Sequence, residues 1–252
     1  MPNIEKTIKT QIWAHRGASA YAPENTLQAF ELAVEMRADG IELDVHMTAD
    51  GHLAVCHDGT TDRTSDGSGK ISDMTLAELR RYSYVSGFGE KYGHVPLPTL
   101  DDVYKLIKPT GLVINTELKA SGEGFLHLIN ECEEINGMRG RVIYSSFNHF
   151  TLTALQKINP EAFVAPLYSE GIVLPWQYAA SFGARALHPH FSSVYALENY
   201  VPDSHAMGIR VHAWTADSEA DIIRLLDLGV DAIITNRPDI ALRLRDNTNP
   251  NK

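Results

Sequence analysis

Short runs of apolar, β-branched residues recur along the chain, and several of them follow a glycine that ends a longer amphipathic stretch. These glycines are Gly40, Gly140, Gly183, Gly208 and Gly229. Because glycine is the residue that most often ends an α-helix, this order indicates repeated helix–strand units. Eight runs are candidate strands: Ile12–His15, Ile41–Val45, Leu112–Leu118, Val142–Phe147, Phe163–Tyr168, Ala184–His190, Ile209–Thr215 and Ala232–Asn236.

The alternation of strands and helices predicts a parallel sheet. Eight strands in 252 residues match a (β/α)8 TIM barrel better than an open sheet, although closure is not readable from the number of strands. We expect a single α/β domain over residues 1–252 rather than two small ones. Its first helix is expected to begin at Asn25, with Gln28 completing a capping box. The tail from Asn247 is expected to fray.

A hairpin is predicted after the second strand. Thr48-Ala49-Asp50-Gly51 is a turn signal, and Leu53–His57 is a short apolar return strand. If the turn centres on Asp50 and Gly51, the antiparallel register brings His57 back opposite Asp44, within two residues.

Residues 59–98 do not have the pattern of a barrel helix. They begin with a run of threonine, serine and glycine, continue through a short candidate helix, Thr75–Tyr82, and then become rich in aromatic residues and glycine. We interpret this segment as a small insertion over the mouth of the barrel that shapes the pocket. The helix Leu100–Ile107 is expected to resume the barrel.

Composition restricts the classes of partner. The net charge is −10, from 22 basic and 32 acidic residues, which argues against nucleic-acid binding and against stable association with an anionic membrane. The first residues lack the apolar core of a secretion signal, and no run has the length of a membrane span, so a cytoplasmic location is expected. Cys56 and Cys132 are too few for a disulfide framework. The oligomeric state stays open, with a homo-oligomer as one expectation.

Carboxylates lie at the ends of two neighbouring candidate strands. Glu42 and Asp44 are two residues apart, so their side chains share one face, and Glu117 and Lys119 repeat this spacing on the next parallel strand. Buried carboxylates this close repel one another unless a positive charge lies between them. Three carboxylates form a hard-oxygen site that suits Mg²⁺ or Ca²⁺ better than zinc.

Histidines and cations complete the candidate chemistry. His15 and Arg16 lie at the end of the first strand, and Gly17 permits a sharp exit from it. Together with His57 and Lys119, they form a set that can bind a phosphodiester and move protons on both sides of it. Trp214 is predicted to form either an apolar wall for a small alcohol or part of the core. His188 and His190 are predicted to fill the barrel rather than to form a second metal site. His46, His52 and His94 are predicted to be solvated.

The chain resembles the glycerophosphodiester phosphodiesterases, specifically the bacterial cytoplasmic type. The matching segments extend over nearly the whole chain in order: His15-Arg16-Gly17, Pro23-Glu24-Asn25-Thr26, Glu42-Leu43-Asp44-Val45, His57-Asp58, Arg63-Thr64, Gly67-Ser68-Gly69, Pro98-Thr99-Leu100, Glu117-Leu118-Lys119, Ser145-Ser146-Phe147, Trp214-Thr215 and Ile234-Thr235-Asn236. No single segment is specific, but together they are.

This resemblance implies a TIM barrel with a family-specific insertion. It also implies metal ligation by Glu42, Asp44 and Glu117, acid–base work by His15 and His57, and phosphate contacts from Arg16 and Lys119. Two places depart from the family pattern. Residues 82–88 replace a Leu-Asp-Ala-Gly-like segment, and Asp217 stands where Asn is usual. Neither departure is expected to touch the catalytic set, and both bear on the choice of leaving group.

The expected activity is metal-dependent hydrolysis of glycerophosphodiesters, such as glycerophosphocholine or glycerophosphoethanolamine, to glycerol 3-phosphate and an alcohol. The nucleophile is either water or the glycerol 2-hydroxyl, and the sequence does not say which histidine is the acid and which the base. Two alternatives are a phospholipase D-like activity on lysophospholipids, for which the sequence shows no apolar or basic docking surface, and a non-catalytic binder of phosphate esters.

Overall fold

The eight predicted parallel strands form a closed barrel. In the computed structural model, which describes residues 9–85 and 87–247, the chain folds as one α/β unit. Its strands are β1 (Gln11–His15), β2 (Gly40–Met47), β3 (Leu53–Val55), β4 (Val113–Leu118), β5 (Val142–Ser146), β6 (Phe163–Tyr168), β7 (Ala186–Pro189), β8 (Arg210–Ala213) and β9 (Ala232–Thr235).

Closure is visible in the pairing of β1, which is parallel to β2 on one side and to β9 on the other. From β9 the order runs through β8, β7, β6, β5 and β4 back to β2. The return strand β3 is antiparallel to the end of β2 and lies outside this ring. The TIM-barrel prediction is therefore confirmed, and the carboxyl ends of all eight parallel strands meet at one face.

Helices alternate with the strands of the barrel. They are α1 (Leu27–Glu35), α2 (Leu76–Leu79), α3 (Leu100–Ile107), α4 (Glu123–Asn136), α5 (His149–Ile158), α6 (Pro175–Ser181), α7 (Phe191–Tyr195), α8 (Tyr200–Ala206), α9 (Glu219–Leu228) and α10 (Pro238–Asn247). Short 3-10 turns cover Ile71–Asp73, Gly89–Tyr92 and Lys108–Thr110. Residues 1–8 and 248–252 lie outside the described residues. The prediction about a secretion signal and most of the prediction about the frayed tail concern these residues.

Two apolar layers hold the barrel together. The larger one fills the space between the strands and the helices, with side chains such as Phe30, Val103 and Leu152 fully buried. The smaller layer fills the amino-terminal part of the barrel interior around Trp13. The small side chains of Ala165 and Ala186 leave space there for the large Trp13 ring. The interior is therefore a packed core that opens only towards the carboxyl ends of the strands.

The first helix starts one residue later than expected. Thr26, not Asn25, is its N-cap, and its hydroxyl accepts a hydrogen bond from the backbone N of Ala29. Asn25 has a positive φ of 56° and turns its amide into the barrel, which takes it out of a capping role. The prediction of a capping box at Asn25 and Gln28 is wrong because tertiary contacts outweigh the local signal.

The hairpin register agrees with the prediction. Val45 pairs with Val55, and the backbone N of Cys56 donates to the carbonyl of Asp44. The return strand ends at Val55 rather than at His57, so His57 follows it in a loop beside Asp44.

The insertion has a small core of its own beside the barrel. Ile71, Leu79, Tyr84 and Leu97 pack on the outward face of β3 at Ala54. Its one α-helix, α2, is shorter than predicted, while α3 has the predicted bounds and begins with a capping box between Thr99 and Asp102. The insertion is therefore anchored on the hairpin by its own apolar contacts.

Candidate active site

The three predicted metal ligands converge at the carboxyl ends of β2 and β4. In the parallel register Asp44 lies opposite Glu117, and Glu42 lies one step earlier on the same face of β2. Each of the three offers one carboxylate oxygen, and these oxygens all lie within 4.8 Å of one another. All three residues are buried, with exposed fractions of 4%, 1% and 8% for Glu42, Asp44 and Glu117.

Two cations compensate this cluster. Lys119 Nζ lies 2.7 Å from Glu117 Oε1 and 3.3 Å from Asp44 Oδ1. Arg16 Nε lies 3.5 Å from Asp44 Oδ2, and the backbone N of Arg16 donates to Glu42 Oε2 at 3.0 Å. The turn that places Arg16 here requires Gly17, which has a φ of 79° and where a Cβ would lie 2.6 Å from the backbone of Ala29.

The pKa values of the three carboxyl groups diverge in the protein without a metal. Burial, and then the charge of Asp44, raises the pKa of Glu117 to about 7 and that of Glu42 well above its ordinary value. Burial acts in the same direction on Asp44, but Lys119 and then Arg16 hold the pKa of that carboxyl below its ordinary value. Burial and mutual repulsion therefore favour the protonated forms of Glu42 and Glu117, and a bound cation would favour the ionised forms.

The donor set fits a hard divalent cation. Asp44 Oδ1 is buried and accepts no hydrogen bond, although Lys119 Nζ is near it. An orphaned oxygen facing two further carboxylates costs free energy unless a proton or a cation occupies the space. Glu42, Asp44 and Glu117 are thus suited to Mg²⁺ or Ca²⁺, which prefer oxygen ligands.

His15 lies at the end of β1 beside this cluster. Its Nε2 is 3.8 Å from Glu42 Oε2, and its Nδ1 is 2.7 Å from Asn236 Oδ1. Burial, followed by the charge of Arg16, lowers the pKa of His15 to about 4. The ring is therefore neutral at pH 7 and can accept a proton.

His57 reaches the same cavity from the loop after β3. Its Nδ1 lies 2.6 Å from Asp58 Oδ1, and Arg63 Nε donates to Asp58 Oδ2 at 2.7 Å. The guanidinium of Arg63 also binds both carboxylate oxygens of Glu24, which in turn accepts from Arg16. This chain of ion pairs connects the surroundings of both histidines.

One cavity collects the predicted site residues. It is lined by His15, Arg16, Glu42, His57 and Glu117, with Trp214 and Phe147 as its apolar wall. Lys119 and Asp44 are not among the lining residues, but Lys119 forms ion pairs with Asp44 and with Glu117, which lines the cavity. The rings of Trp214 and Phe147 meet edge to face at 5.6 Å, and Trp214 both lines the cavity and packs against the inner apolar layer, so its role as a wall for the substrate stays a prediction.

The described part of the insertion contacts the loop after β1, through Arg63 and Tyr92, but does not line this cavity. Its described residues, 59–85 and 87–98, contribute none of the lining side chains. The expectation that the segment lies over the mouth of the barrel and shapes the pocket stays a prediction. Its contribution is indirect, because Arg63 holds Asp58 and Glu24 in place.

Three supporting residues were not assigned a role in the site from the sequence. Asn25 Nδ2 donates to Asp44 Oδ2 at 2.8 Å, Asn236 contacts His15, and Asn115 is buried on the cavity floor with an Oδ1 that has no hydrogen-bond partner. Asn25 and Asn236 lie in segments that carried the family resemblance, which was the available signal. Asn115 shares a face with Glu117 at a spacing of two, and this pattern alone would have placed it in the interior.

The remaining histidines do not form a second metal site among the described residues. His188 is fully buried and its Nε2 lies 2.8 Å from Nδ1 of His212, beside Trp13, so the prediction of barrel filling is confirmed. The same prediction is wrong for His190, which is only partly buried because it follows β7 and caps α7 through its ring. His46 is not the solvated residue that was expected, because its ring is partly buried and Nε2 lies 3.1 Å from the carbonyl oxygen of His57.

Asp217, where Asn was expected, reaches His15 indirectly. Its carboxylate accepts from Asn236 Nδ2 at 2.5 Å, and Asn236 Oδ1 contacts His15. Asp217 does not line the cavity. It therefore contacts a partner of the catalytic candidate His15, contrary to the expectation that it leaves the catalytic set untouched.

Comparison with known proteins agrees with this arrangement. The sequence model of the Glycerophosphoryl diester phosphodiesterase family matches residues 15–240, which include every residue of the cavity described above. The chain belongs to this family. A glycerophosphodiester phosphodiesterase of Caldanaerobacter subterraneus subsp. tengcongensis is 39% identical over 94% of this chain and 98% of its own length. One of Bacillus altitudinis is 37% identical with the same coverage.

A solved structure adds a bound product to the comparison. The phosphodiesterase of Oleispira antarctica, in complex with the product sn-glycerol-3-phosphate, is 30% identical, covers 94% of this chain and 96% of its own, and superposes with a TM-score of 0.87. The protein is accordingly a phosphoric diester hydrolase of the glycerophosphodiester phosphodiesterase family. Among the helices of the described residues, none combines the length and the hydropathy needed to cross a bilayer.

Proposed function

We propose that the protein hydrolyses glycerophosphodiesters from deacylated phospholipids, such as glycerophosphocholine or glycerophosphoethanolamine, to glycerol 3-phosphate and an alcohol, with a divalent metal. One observation carries this proposal. Two carboxylates of a buried cluster of three line one cavity with two histidines and an arginine, and a lysine lies beside the cluster. A phosphoryl group needs charge compensation, and both an attacking and a departing oxygen need a proton carrier.

Glu42, Asp44 and Glu117 would hold the metal. When bound, a divalent cation supplies positive charge that polarises a phosphoryl oxygen. Arg16 and Lys119 have side chains that are 18% and 15% exposed, which leaves each of them a path to the substrate phosphate. In this role they orient the diester and stabilise the negative charge that develops on it.

His15 and His57 move the protons. His15 is neutral at pH 7, because burial lowers its pKa to about 4, and we assign it to removing the proton from the nucleophile, either water or the glycerol 2-hydroxyl. The Asp58 carboxylate lies at Nδ1 of His57 and orients the ring, and we assign His57 to delivering a proton to the departing alkoxide. The two roles explain why one site holds two histidines.

The test is release of glycerol 3-phosphate from glycerophosphocholine and from glycerophosphoethanolamine, with Mg²⁺, with Ca²⁺ and with a chelator. We expect turnover that the chelator abolishes and one of the two cations restores. Undiminished turnover in the chelator contradicts the metal site. Binding of glycerol 3-phosphate without any turnover of either diester would instead support the non-catalytic binder.

A second candidate function gains support from the rim of the cavity. Phe147 and Phe150 follow β5, and Val173 and Leu174 follow β6, on the face where the strands end, with exposed fractions of 49%, 86%, 85% and 43%. No such apolar surface was expected from the sequence. Large exposed apolar side chains at the mouth favour a substrate with an acyl chain, as in a phospholipase D-like activity on lysophospholipids.

A comparison of turnover on two substrates separates the two candidate functions. Turnover of lysophosphatidylcholine, below the concentration at which it forms micelles, is compared with turnover of glycerophosphocholine in wild type and in the variant Phe150→Ser. The first proposal predicts a higher kcat/KM for glycerophosphocholine that Phe150→Ser leaves in place. A preference for the lysolipid that the variant removes supports the second. A cytoplasmic location and a small-molecule substrate belong to the first proposal, and the expectation of a homo-oligomer stays a prediction.

A further inference from the structure

Asp217 makes three polar contacts, all with β9 and the residue that follows it. Its Oδ1 lies 2.9 Å from Thr235 Oγ1 and 2.8 Å from the backbone N of Asn236. Its Oδ2 lies 2.5 Å from the side-chain amide of Asn236. Because an ionised carboxylate can only accept hydrogen bonds, each of these three neighbours must donate to it.

This requirement orients the Asn236 amide. The NH₂ group must point to Asp217, so Oδ1 points the other way, where it lies 2.7 Å from His15 Nδ1 and 2.7 Å from Ser19 Oγ. A carbonyl oxygen only accepts, and therefore His15 Nδ1 must carry a proton. In the neutral ring the lone pair is then on Nε2, the nitrogen that lies 3.8 Å from Glu42 in the cavity.

We propose that Asp217 is a positioning residue that selects the Nδ1–H tautomer of His15 through the orientation of the Asn236 amide. The inference rests on the proposed function in one respect, namely that His15 exchanges a proton at Nε2. Whether His15 accepts that proton first or donates it, the neutral form of the ring in the reaction is the one with hydrogen on Nδ1. The opposite tautomer presents an N–H where the reaction needs an acceptor.

The substitution Asp217→Asn reverses the arrangement. The new amide keeps an oxygen for Thr235 and the backbone N of Asn236, so its NH₂ group faces the Asn236 side chain. Asn236 must then rotate its own oxygen towards position 217 and its NH₂ group towards His15. Nδ1 becomes an acceptor, and the ring takes the Nε2–H tautomer.

The double substitution Asp217→Asn with Asn236→Asp restores the original pattern by exchanging the two groups. A carboxylate at position 236 accepts from His15 Nδ1 with one oxygen and from the amide at position 217 with the other. The pair carries the same total charge as in the wild type. If Asp217 mattered only for folding, adding Asn236→Asp to Asp217→Asn would not be expected to restore activity.

The experiment measures the tautomer directly. Histidine ¹⁵N shifts and two-bond ¹⁵N–¹H couplings are recorded on the Mg²⁺-loaded protein at neutral pH, with His15 assigned by its loss in His15→Gln. We expect Nδ1–H in wild type, Nε2–H in Asp217→Asn and Nδ1–H again in the double variant. In parallel, kcat for glycerophosphocholine falls by about 10²-fold or more in Asp217→Asn with little change in KM, and recovers in the double variant.

Asp231→Asn is the matched control. Asp231 is also a partly buried carboxylate that accepts from a backbone N and a side chain, those of Val211 and His205, but it does not contact Asn236 or His15. We expect its His15 signals to match those of wild type. An Nδ1–H ring in Asp217→Asn, or a fall in kcat there that the double variant fails to reverse, overturns the inference. If the tautomers change as stated while wild type hydrolyses no glycerophosphodiester, the proposed function fails and the positioning by Asp217 stands.

Discussion

The barrel interior buries two groups of ionisable side chains with opposite electrostatic solutions. At the mouth, Glu42, Asp44 and Glu117 lie among cations, and one carboxylate oxygen has no hydrogen-bond partner. One layer deeper, beside Trp13, His188 and His212 contact each other in apolar surroundings. Burial lowers the pKa of His188 to about 3 and that of His212 well below its ordinary value.

The difference shows that burial of an ionisable group is by itself a poor mark of a catalytic site. The inner pair is neutral and packed, and contributes shape to the core. The mouth cluster keeps charges of both signs in a cavity, with surroundings that hold one pKa down and push two others up. Unequal pKa values among touching groups, next to open space, are what indicates chemistry here.

The largest expected effect is loss of the metal site. Glu42→Ala should lower metal-dependent turnover by about 10³-fold or more, because a cation at a phosphoryl oxygen is worth several kcal/mol. The fold should survive, since removing one carboxylate relieves repulsion among the remaining two. Steady-state rates with and without Mg²⁺, together with thermal unfolding, check both statements.

Glu133→Gln is the control for that variant. Glu133 is a carboxylate on α4 that is only 4% exposed and accepts a hydrogen bond from Asn159. It does not line the cavity. We expect its turnover to equal that of wild type. Wild-type activity in Glu42→Ala would remove the contrast between the two buried clusters.

The histidines of the mouth are expected to give the next largest effect. His15→Ala and His57→Ala should each keep the metal and lose about 10²–10⁴-fold in rate, the usual contribution of a proton-transfer group. A nitrophenyl ester of glycerol phosphate, whose leaving group needs no proton, should rescue His57→Ala much more than His15→Ala. Equal rescue of both variants, or a greater rescue of His15→Ala, contradicts the assignment of acid and base.

The affinity for the metal should depend on pH because of the carboxyl groups at the mouth, and not because of His188 and His212. Glu117 has a pKa raised to about 7, so below pH 7 a bound metal must displace its proton. The Kd for Mg²⁺ should therefore rise by at least about tenfold for each pH unit well below 7, since Glu117 then exchanges one proton and Glu42, whose pKa is also raised, can only add to this dependence. Isothermal titration between pH 5.5 and 8.5 measures this, and a flat profile would show that no carboxyl group at the mouth is protonated.

The inner pair is expected to change stability alone. His188 titrates at about pH 3 in the folded protein and near 6.5 when unfolded, so between these values the unfolded chain binds more protons and stability falls as the pH falls. In His188→Gln the slope of unfolding free energy against pH should decrease by up to about 1.4 kcal/mol per pH unit, the value for one proton. Urea unfolding at several pH values gives the slope.

Leu187→Ala provides the comparison for that slope. Leu187 is fully buried on the same strand, so its truncation lowers stability by about 2–5 kcal/mol without removing an ionisable group. Its pH dependence should equal that of wild type. If His188→Gln and Leu187→Ala have the same slope, the histidine is not kept neutral by burial.

Local patterns along the chain were sufficient to predict the barrel and the principal residues of the site. Strand and helix periodicity indicated all eight parallel strands, because both periods are local properties of the chain. The spacing of two between Glu42 and Asp44, and between Glu117 and Lys119, places each pair on one face because side chains alternate along a strand. The hairpin register brought His57 near Asp44 by the same local geometry.

Tertiary contacts alone set how those residues are held. Asn25 has the pattern of a helix cap, and only its contact with Asp44, from a strand in another part of the chain, gives it a place in the site. Asn236 and Asp217 meet His15 across the seam where β9 closes on β1. The insertion packs its apolar residues on β3 and reaches the loop after β1 through Arg63 and Tyr92. Such contacts join distant segments, and no local period in the sequence encodes them.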